Sequence, residues 1–75
     1  MNIYLIERTD EVEYDQTHGF VIVSNDELEC VQLAKGSLGH YDVSSVWDEA
    51  CITLLGIYSG DLNYSHIVLT DFNAG

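Results

Sequence analysis

Five carboxylates crowd the stretch from Glu7 to Asp15: Glu7, Asp10, Glu11, Glu13 and Asp15, with Arg8 the one cation among them. Glu11, Glu13 and Asp15 alternate with Val12 and Tyr14. In an extended segment, alternate side chains point the same way at intervals of about 6.5–7 Å. That separation is similar to the spacing of neighbouring phosphates along a nucleic-acid strand. Such a row is a candidate mimic of that backbone, aimed at the basic groove of a nucleic-acid-binding protein, where complementary charge speeds association. Asp10 extends the acidic flank, and Tyr14 supplies an amphipathic aromatic of the type that anchors interfaces. The same composition also describes a solvated loop that keeps a small protein soluble.

A second acidic group, Asp26, Glu27 and Glu29, coincides with an expected helix start, where capping and the helix dipole account for Asp26 and Glu27 without a partner. A third comprises Asp42, Asp48 and Glu49, with Asp61 and Asp71 more scattered. Local structure does not account for the total. The 75 residues carry 13 acids against two basic residues, a net charge of -11. Self-repulsion at that charge opposes folding, and solubility is met by a magnitude of roughly 2–8. The excess points to charge in use.

Other chemistries find little in this chain. His18, His40 and His66 match no zinc spacing, and Cys30 and Cys51 form no Cys-x-x-Cys pair. The acids at 10–15 lack the central glycine and terminal glutamate of a calcium loop. No nucleophile elbow surrounds Ser44 or Ser45, and neither cysteine has basic neighbours to activate a thiolate. Gly36-Ser37-Leu38-Gly39 lacks the lysine and preceding strand of a phosphate loop. The expectation is a non-enzyme without cofactor or metal.

Phosphate binding needs Lys and Arg. With only Arg8 and Lys35 available, direct nucleic-acid binding is not expected, and the same repulsion disfavours anionic membranes. The hydrophobic fraction is 47%, so the charge sits on a folded object. The length fits one domain, 1–75, near the lower limit for a self-sufficient core, which makes a partner or a homodimer plausible. The first seven residues have no basic region and end on Glu7, unlike a secretory leader, and no apolar run approaches a membrane span. Cytoplasmic localisation is expected, with both cysteines reduced and buried.

The elements that must position these groups follow from the apolar pattern. Residues 3–6 are apolar on both faces, which predicts a strand inside the sheet. Residues 7–18 read as a loop or an extended arm, and Gly19 opens a second strand through Val23. Ser24 with Glu27 has capping-box spacing and predicts a helix over 25–35, with Cys30, Leu28, Val31 and Ala34 on its apolar stripe and Gly36 as a left-handed C-cap. Residues 36–46 form a loop, and Ser45 with Asp48 caps a single turn around Trp47. Strands follow at 50–58, with a bulge or close approach at Gly56, and at 66–70, before a tail from Asp71 to Gly75. The fold class is α+β: a four-stranded antiparallel sheet in the order β-β-α-β-β with the helix on one face. One helix covers one face only. Loops 7–18 and 36–46 are the available cover for the other; failing that, it recruits a partner.

Met1-Asn2-Ile3-Tyr4-Leu5-Ile6, the Gly19-Phe20-Val21-Ile22-Val23 strand before an acidic helix start, and the ending Asp71-Phe72-Asn73-Ala74-Gly75 together resemble a group of small phage and prophage proteins. The resemblance implies a mobile-element context and brings no functional residues with it. Small acidic phage proteins include anti-CRISPR and anti-restriction inhibitors that occupy basic surfaces of nucleic-acid machines. Charge and context therefore converge on an anti-CRISPR-like inhibitor of a host defence protein, with a CRISPR effector subunit as the leading partner. Glu11, Glu13 and Asp15 are its first contacts, supported by Asp10, Tyr14, Asp26, Glu27 and Glu29. The alternative is a homodimeric accessory protein whose acidity serves solubility.

Overall fold

The computed structural model describes residues 1–74. It contains β1 (Asn2–Glu7), β2 (Gln16–Ser24), α1 (Glu27–Gly36), a 3-10 helix (Ser44–Glu49), β3 (Cys51–Ile57) and β4 (His66–Asn73). The four strands form one antiparallel sheet in the order β3-β1-β2-β4. The expected α+β architecture is present, with the first two strands paired at the sheet's centre. Strands β3 and β4 lie at opposite edges, so their connection, 58–65, rounds the end of the sheet where Asn2, Ser24, Ile57 and His66 sit. It is held there by Tyr58, whose N–H donates to the Met1 carbonyl at 2.9 Å, and by Ser65, whose hydroxyl donates to the Glu29 carboxylate.

The core lies on one face. Tyr4 and Ile6 of β1 pair with Ile22 and Phe20 of β2, and all four are buried. Cys30 and Ala34 of α1 and Trp47 of the 3-10 helix close over them, with Leu38 and Val46 packed alongside. Trp47 is fully buried, its ring centroid 5.2 Å from that of Phe20. Its indole N–H has no acceptor, and a buried donor left unpaired costs about 1–3 kcal/mol.

Several boundaries differ from expectation, each for a local reason. Ser24 is not the cap: it is committed to the sheet opposite Asn2, and its hydroxyl donates to the Asp26 carbonyl. The cap forms two residues later, with the reciprocal bond going to the residue before it. Asp26 accepts from the Glu29 N–H at 2.9 Å, and the Glu29 carboxylate accepts from the Asn25 N–H at 3.0 Å. Leu28 is 68% exposed rather than part of the buried stripe. The stripe is centred on Cys30 and Ala34, and at about 100° per residue Leu28 points about 200° away from Cys30.

Gly36 is the last helical residue and has no positive φ; Ser37 ends the helix by donating its N–H to Ala34, so no left-handed turn is needed. No side chain caps the 3-10 helix, and Asp48 pairs with Lys35 instead. Both β2 and β4 are longer than expected, because Gln16 and Thr17 pair with Asn73 and Phe72 and draw most of the expected tail into the sheet. Gly75 lies outside the described residues. The sheet is irregular beside Gly56, as expected for that glycine. Both cysteines are free, but Cys51 is exposed on edge strand β3.

On the second face Val23, paired with Ile3 and His66, is buried, but the rest stays open. Loop 36–46 packs on the helix side through Leu38 and cannot cover it. Leu5, Val21 and Leu69 sit opposite one another across β1, β2 and β4, and Leu69 is 61% exposed.

Trp47→Ala is expected to cost about 3–5 kcal/mol, against a total of roughly 4–11 kcal/mol for a chain of 75 residues. Trp47→Phe should cost clearly less, since it keeps most of the ring and removes the unpaired N–H. Urea unfolding followed by circular dichroism measures both, because the substitution removes the only tryptophan. Equal losses would show that the indole N–H carries no penalty.

Candidate partner-binding surface

Residues 8–15 join β1 to β2 as a loop without regular structure, not as an extended strand. The turn back into β2 is made by Asp15 at φ 61, the one positive-φ non-glycine residue among those described. Aspartate tolerates this left-handed conformation better than most residues.

Arg8 holds the loop from beneath. Its side chain is 4% exposed. Nε and one terminal nitrogen donate to the two Asp10 carboxylate oxygens at 2.8 and 2.5 Å, a bidentate pair. The same terminal nitrogen reaches the Glu11 carbonyl at 3.2 Å, and the other donates to Gln16 Oε1 at 2.9 Å. Gln16 passes the restraint on: its Oε1 accepts from the Glu13 N–H, and its Nε2 donates to the Tyr41 carbonyl. From the far side, Asn73 Nδ2 donates to the Glu13 carbonyl and the Asn73 carbonyl accepts from the Asp15 N–H at 2.7 Å. The loop's backbone is thereby tied inward at Glu11, Glu13 and Asp15.

The side chains of those three residues point to the opposite outcome. Glu11, Glu13 and Asp15 are exposed, and among the described residues none of their carboxylates accepts a hydrogen bond. Val12 is half-buried between the two glutamates, so the in-out alternation holds from 11 to 13 and ends at the left-handed Asp15. Tyr14 beside them is 74% exposed. Together Glu11, Val12, Glu13, Tyr14 and Asn73 border a shallow surface depression.

Asp10, Asp26 and Glu29, by contrast, have internal work. Asp10 is Arg8's partner, and the hydrogen bond from Arg8 holds its carboxyl below the usual range. Asp26 caps α1. Glu29 completes that cap and accepts from Ser65, and these bonds, Ser65's foremost, lower its pKa. Glu27 is exposed in the first helical turn. The surface therefore brings Glu11, Glu13, Asp15 and Tyr14 together, while Asp26, Glu27 and Glu29 belong to the start of α1.

Asp42 is the residue the sequence reading undervalued. One carboxylate oxygen accepts from the Thr17 N–H at 2.7 Å; the other accepts from the Thr17 hydroxyl at 2.8 Å and the Gly39 N–H at 2.7 Å. Burial opposes its ionisation and is the largest single influence, but these bonds and the Arg8 charge outweigh it and keep its pKa below the usual range. The signal for Arg8 was present, as a lone cation inside an acidic run. Asp42 carried none, because Thr17, which donates two of its three hydrogen bonds, is 25 residues away.

No group of three or more His, Cys, Asp or Glu among the described residues is placed to hold a metal ion. The Cys30 thiol is pushed up to about 11 by burial, with Glu27 adding to the shift, so it is protonated at neutral pH. Among the described residues, no helix is long and apolar enough to cross a membrane. What the arrangement offers is a set of outward carboxylates on a braced loop. Comparison with family models, with curated proteins and with solved structures gave no match.

Asp10, Glu29 and Asp42 all have folded-state pKa values below their ordinary ones. Each stabilises the fold above the ordinary carboxylate range near pH 4, and that contribution is lost as pH falls through the lowered values. The melting temperature should therefore drop below about pH 4, and Asp42→Asn should flatten that drop while lowering the melting temperature at pH 7. An unchanged acid slope in the variant would refute the assignment. Arg8→Lys, which cannot form the fork, should speed amide hydrogen exchange at 10–16 by roughly tenfold or more while leaving α1 protected.

Proposed function

We propose that this protein acts by binding, using the loop at Glu11, Glu13 and Asp15 to occupy a Lys/Arg-rich surface on a nucleic-acid-binding protein. The observation that carries the reading is the pairing of unpartnered outward carboxylates with a backbone already braced by Arg8, Gln16 and Asn73. A braced loop loses little freedom on binding, so more of its electrostatic attraction survives as affinity. Both basic side chains are engaged by carboxylates, Arg8 by Asp10 and Lys35 by Asp48, so neither offsets the acidic surface toward a partner. Tyr14 supplies an apolar contact at the centre of the row. With the resemblance to phage proteins, the partner class is a host defence complex, and the leading case is a CRISPR effector subunit whose basic channel normally holds guide or target nucleic acid.

The test is a tagged capture from bacterial lysate carrying active CRISPR and restriction systems. The expected result is a stoichiometric nucleic-acid-binding protein, displaced by added oligonucleotide and released as salt rises. Reversal of Glu11, Glu13 and Asp15 to lysine should weaken capture about tenfold or more. The same reversal at Glu27, Glu49 and Asp61 changes net charge equally and should cost much less. Equal losses would reduce the effect to net charge and sink the site.

A second reading, a homodimeric accessory protein of a mobile element, is favoured by the open sheet face at Leu5, Val21 and Leu69. Its signature is a salt-insensitive dimer in sedimentation, with no affinity for basic proteins.

A further inference from the structure

The open sheet face carries a groove of about 330 Å³ whose lining includes Leu5, Glu7, Gly19, Val21, Leu69 and Asp71. The register explains its shape. Leu5, Val21 and Leu69 lie opposite one another across β1, β2 and β4 and form an apolar floor. Two residues further along lies the rung Glu7, Gly19 and Asp71. Gly19 stands between the two acids; it is buried, with the Glu7 Cγ 3.3 Å from where its Cβ would stand. A Cβ there would come within 2.8 Å of the Ile6 carbonyl oxygen, so no larger residue fits without displacing backbone. Glu7 and Asp71 are on strands separated by β2, which sets their backbones about 9–10 Å apart. A single cation can sit between their carboxylates. Asp71 has one neighbouring cationic candidate, His18, with Nδ1 at 3.2 Å, and that imidazole is itself exposed.

We propose that this groove docks an extended segment of the basic partner in which an apolar side chain and a Lys or Arg stand two residues apart. In extended chain that interval is about 6.5–7 Å, the distance from the Leu5-Val21-Leu69 rung to the Glu7-Gly19-Asp71 rung. The apolar side chain covers Leu69 and its neighbours, and the cation lies at the groove's acidic end, between the Glu7 and Asp71 carboxylates. A second copy of this chain is the poorer occupant on charge. Each copy carries -11, and its two basic side chains are engaged with Asp10 and Asp48, so it brings no free lysine or arginine to Glu7 and Asp71. The inference rests on the reading of the partner as a basic protein and adds a second, apolar anchor on a different face.

The probe is a short peptide carrying leucine and arginine two residues apart, titrated into isotope-labelled protein and followed by amide chemical shifts. Two control peptides replace leucine by serine or arginine by glutamate. The first peptide should shift Gly19, Val21 and Leu69 saturably, and the controls should bind about tenfold more weakly or less well still. Glu7→Gln with Asp71→Asn should weaken the first peptide about tenfold. Leu69→Ser should weaken it too without unfolding the protein, since that side chain is mostly solvent-exposed; circular dichroism checks this.

Shifts confined to 11–15, or equal shifts with the serine peptide, would overturn the groove. So would shifts at these amides that grow with protein concentration alone alongside a dimer in sedimentation, which would give the face to a second copy. In the lysate capture, release by Leu69→Ser supports the groove. Retention by Leu69→Ser with release by the Glu11, Glu13, Asp15 reversal overturns the groove and leaves the acidic-loop reading standing. Retention by both overturns both.

Discussion

Tyr4, Ile6, Phe20 and Ile22 stay dry only if something lies across β1 and β2, and the chain supplies one ten-residue helix for the purpose. That shortage of cover shapes everything else. The helix approaches the sheet through two small residues, Cys30 and Ala34, and the span beyond it is filled by the 3-10 helix, which drives Trp47 against Phe20. Little is left for the other side, where Val23 is buried but Leu69 is not. A sheet whose central strands are apolar on both faces and fully covered on one only is an incomplete layer architecture. The groove over Leu5, Val21 and Leu69 is a direct consequence of it.

The acidic loop answers a different constraint. A chain carrying -11 folds against its own repulsion, and it does so by giving many of its acids a structural partner. Arg8 and Lys35 take Asp10 and Asp48; backbone N–H groups take Asp26, Glu29 and Asp42. The carboxylates of Glu11, Glu13 and Asp15 are left outside this arrangement, while their own backbone is held firmly by it. Rigid support under unpaired charge is what distinguishes this loop from an ordinary solvated one.

Both surfaces connect through the same strands. Arg8 and Gln16 flank the loop as direct continuations of β1 and β2, so the pairing that buries Ile6 against Phe20 also sets where the guanidinium fork stands. Asp42 closes the arrangement from the helix side by holding Thr17 and Gly39 together. Loss of packing at Trp47 and loss of order in the acidic loop are therefore expected to travel together.

Much of this was legible in the residues themselves. Period and β-branching marked the strands, and apolar character on both sides of residues 3–6 put that strand inside the sheet. Charge arithmetic identified the 7–15 run as the feature needing explanation. Local signals also misled where two residues competed for one role. Ser24 and Asp26 both suit a cap, and only the pairing of Ser24 with Asn2 decides for Asp26. Gly36 suits a left-handed turn, but the route the chain takes next does not require one.

Beyond the cap at Asp26, the sorting of the acids could not be read from sequence, because a carboxylate's role depends on which donors the fold brings near it. Asp42 meets Thr17 only once β2 and the loop after α1 are assembled, and Asp71 becomes a groove wall only when β4 pairs with β2. The sequence by itself determined how much charge and how much apolar surface the chain must manage. Which of each is satisfied internally and which stays exposed follows from contacts between residues far apart along the chain.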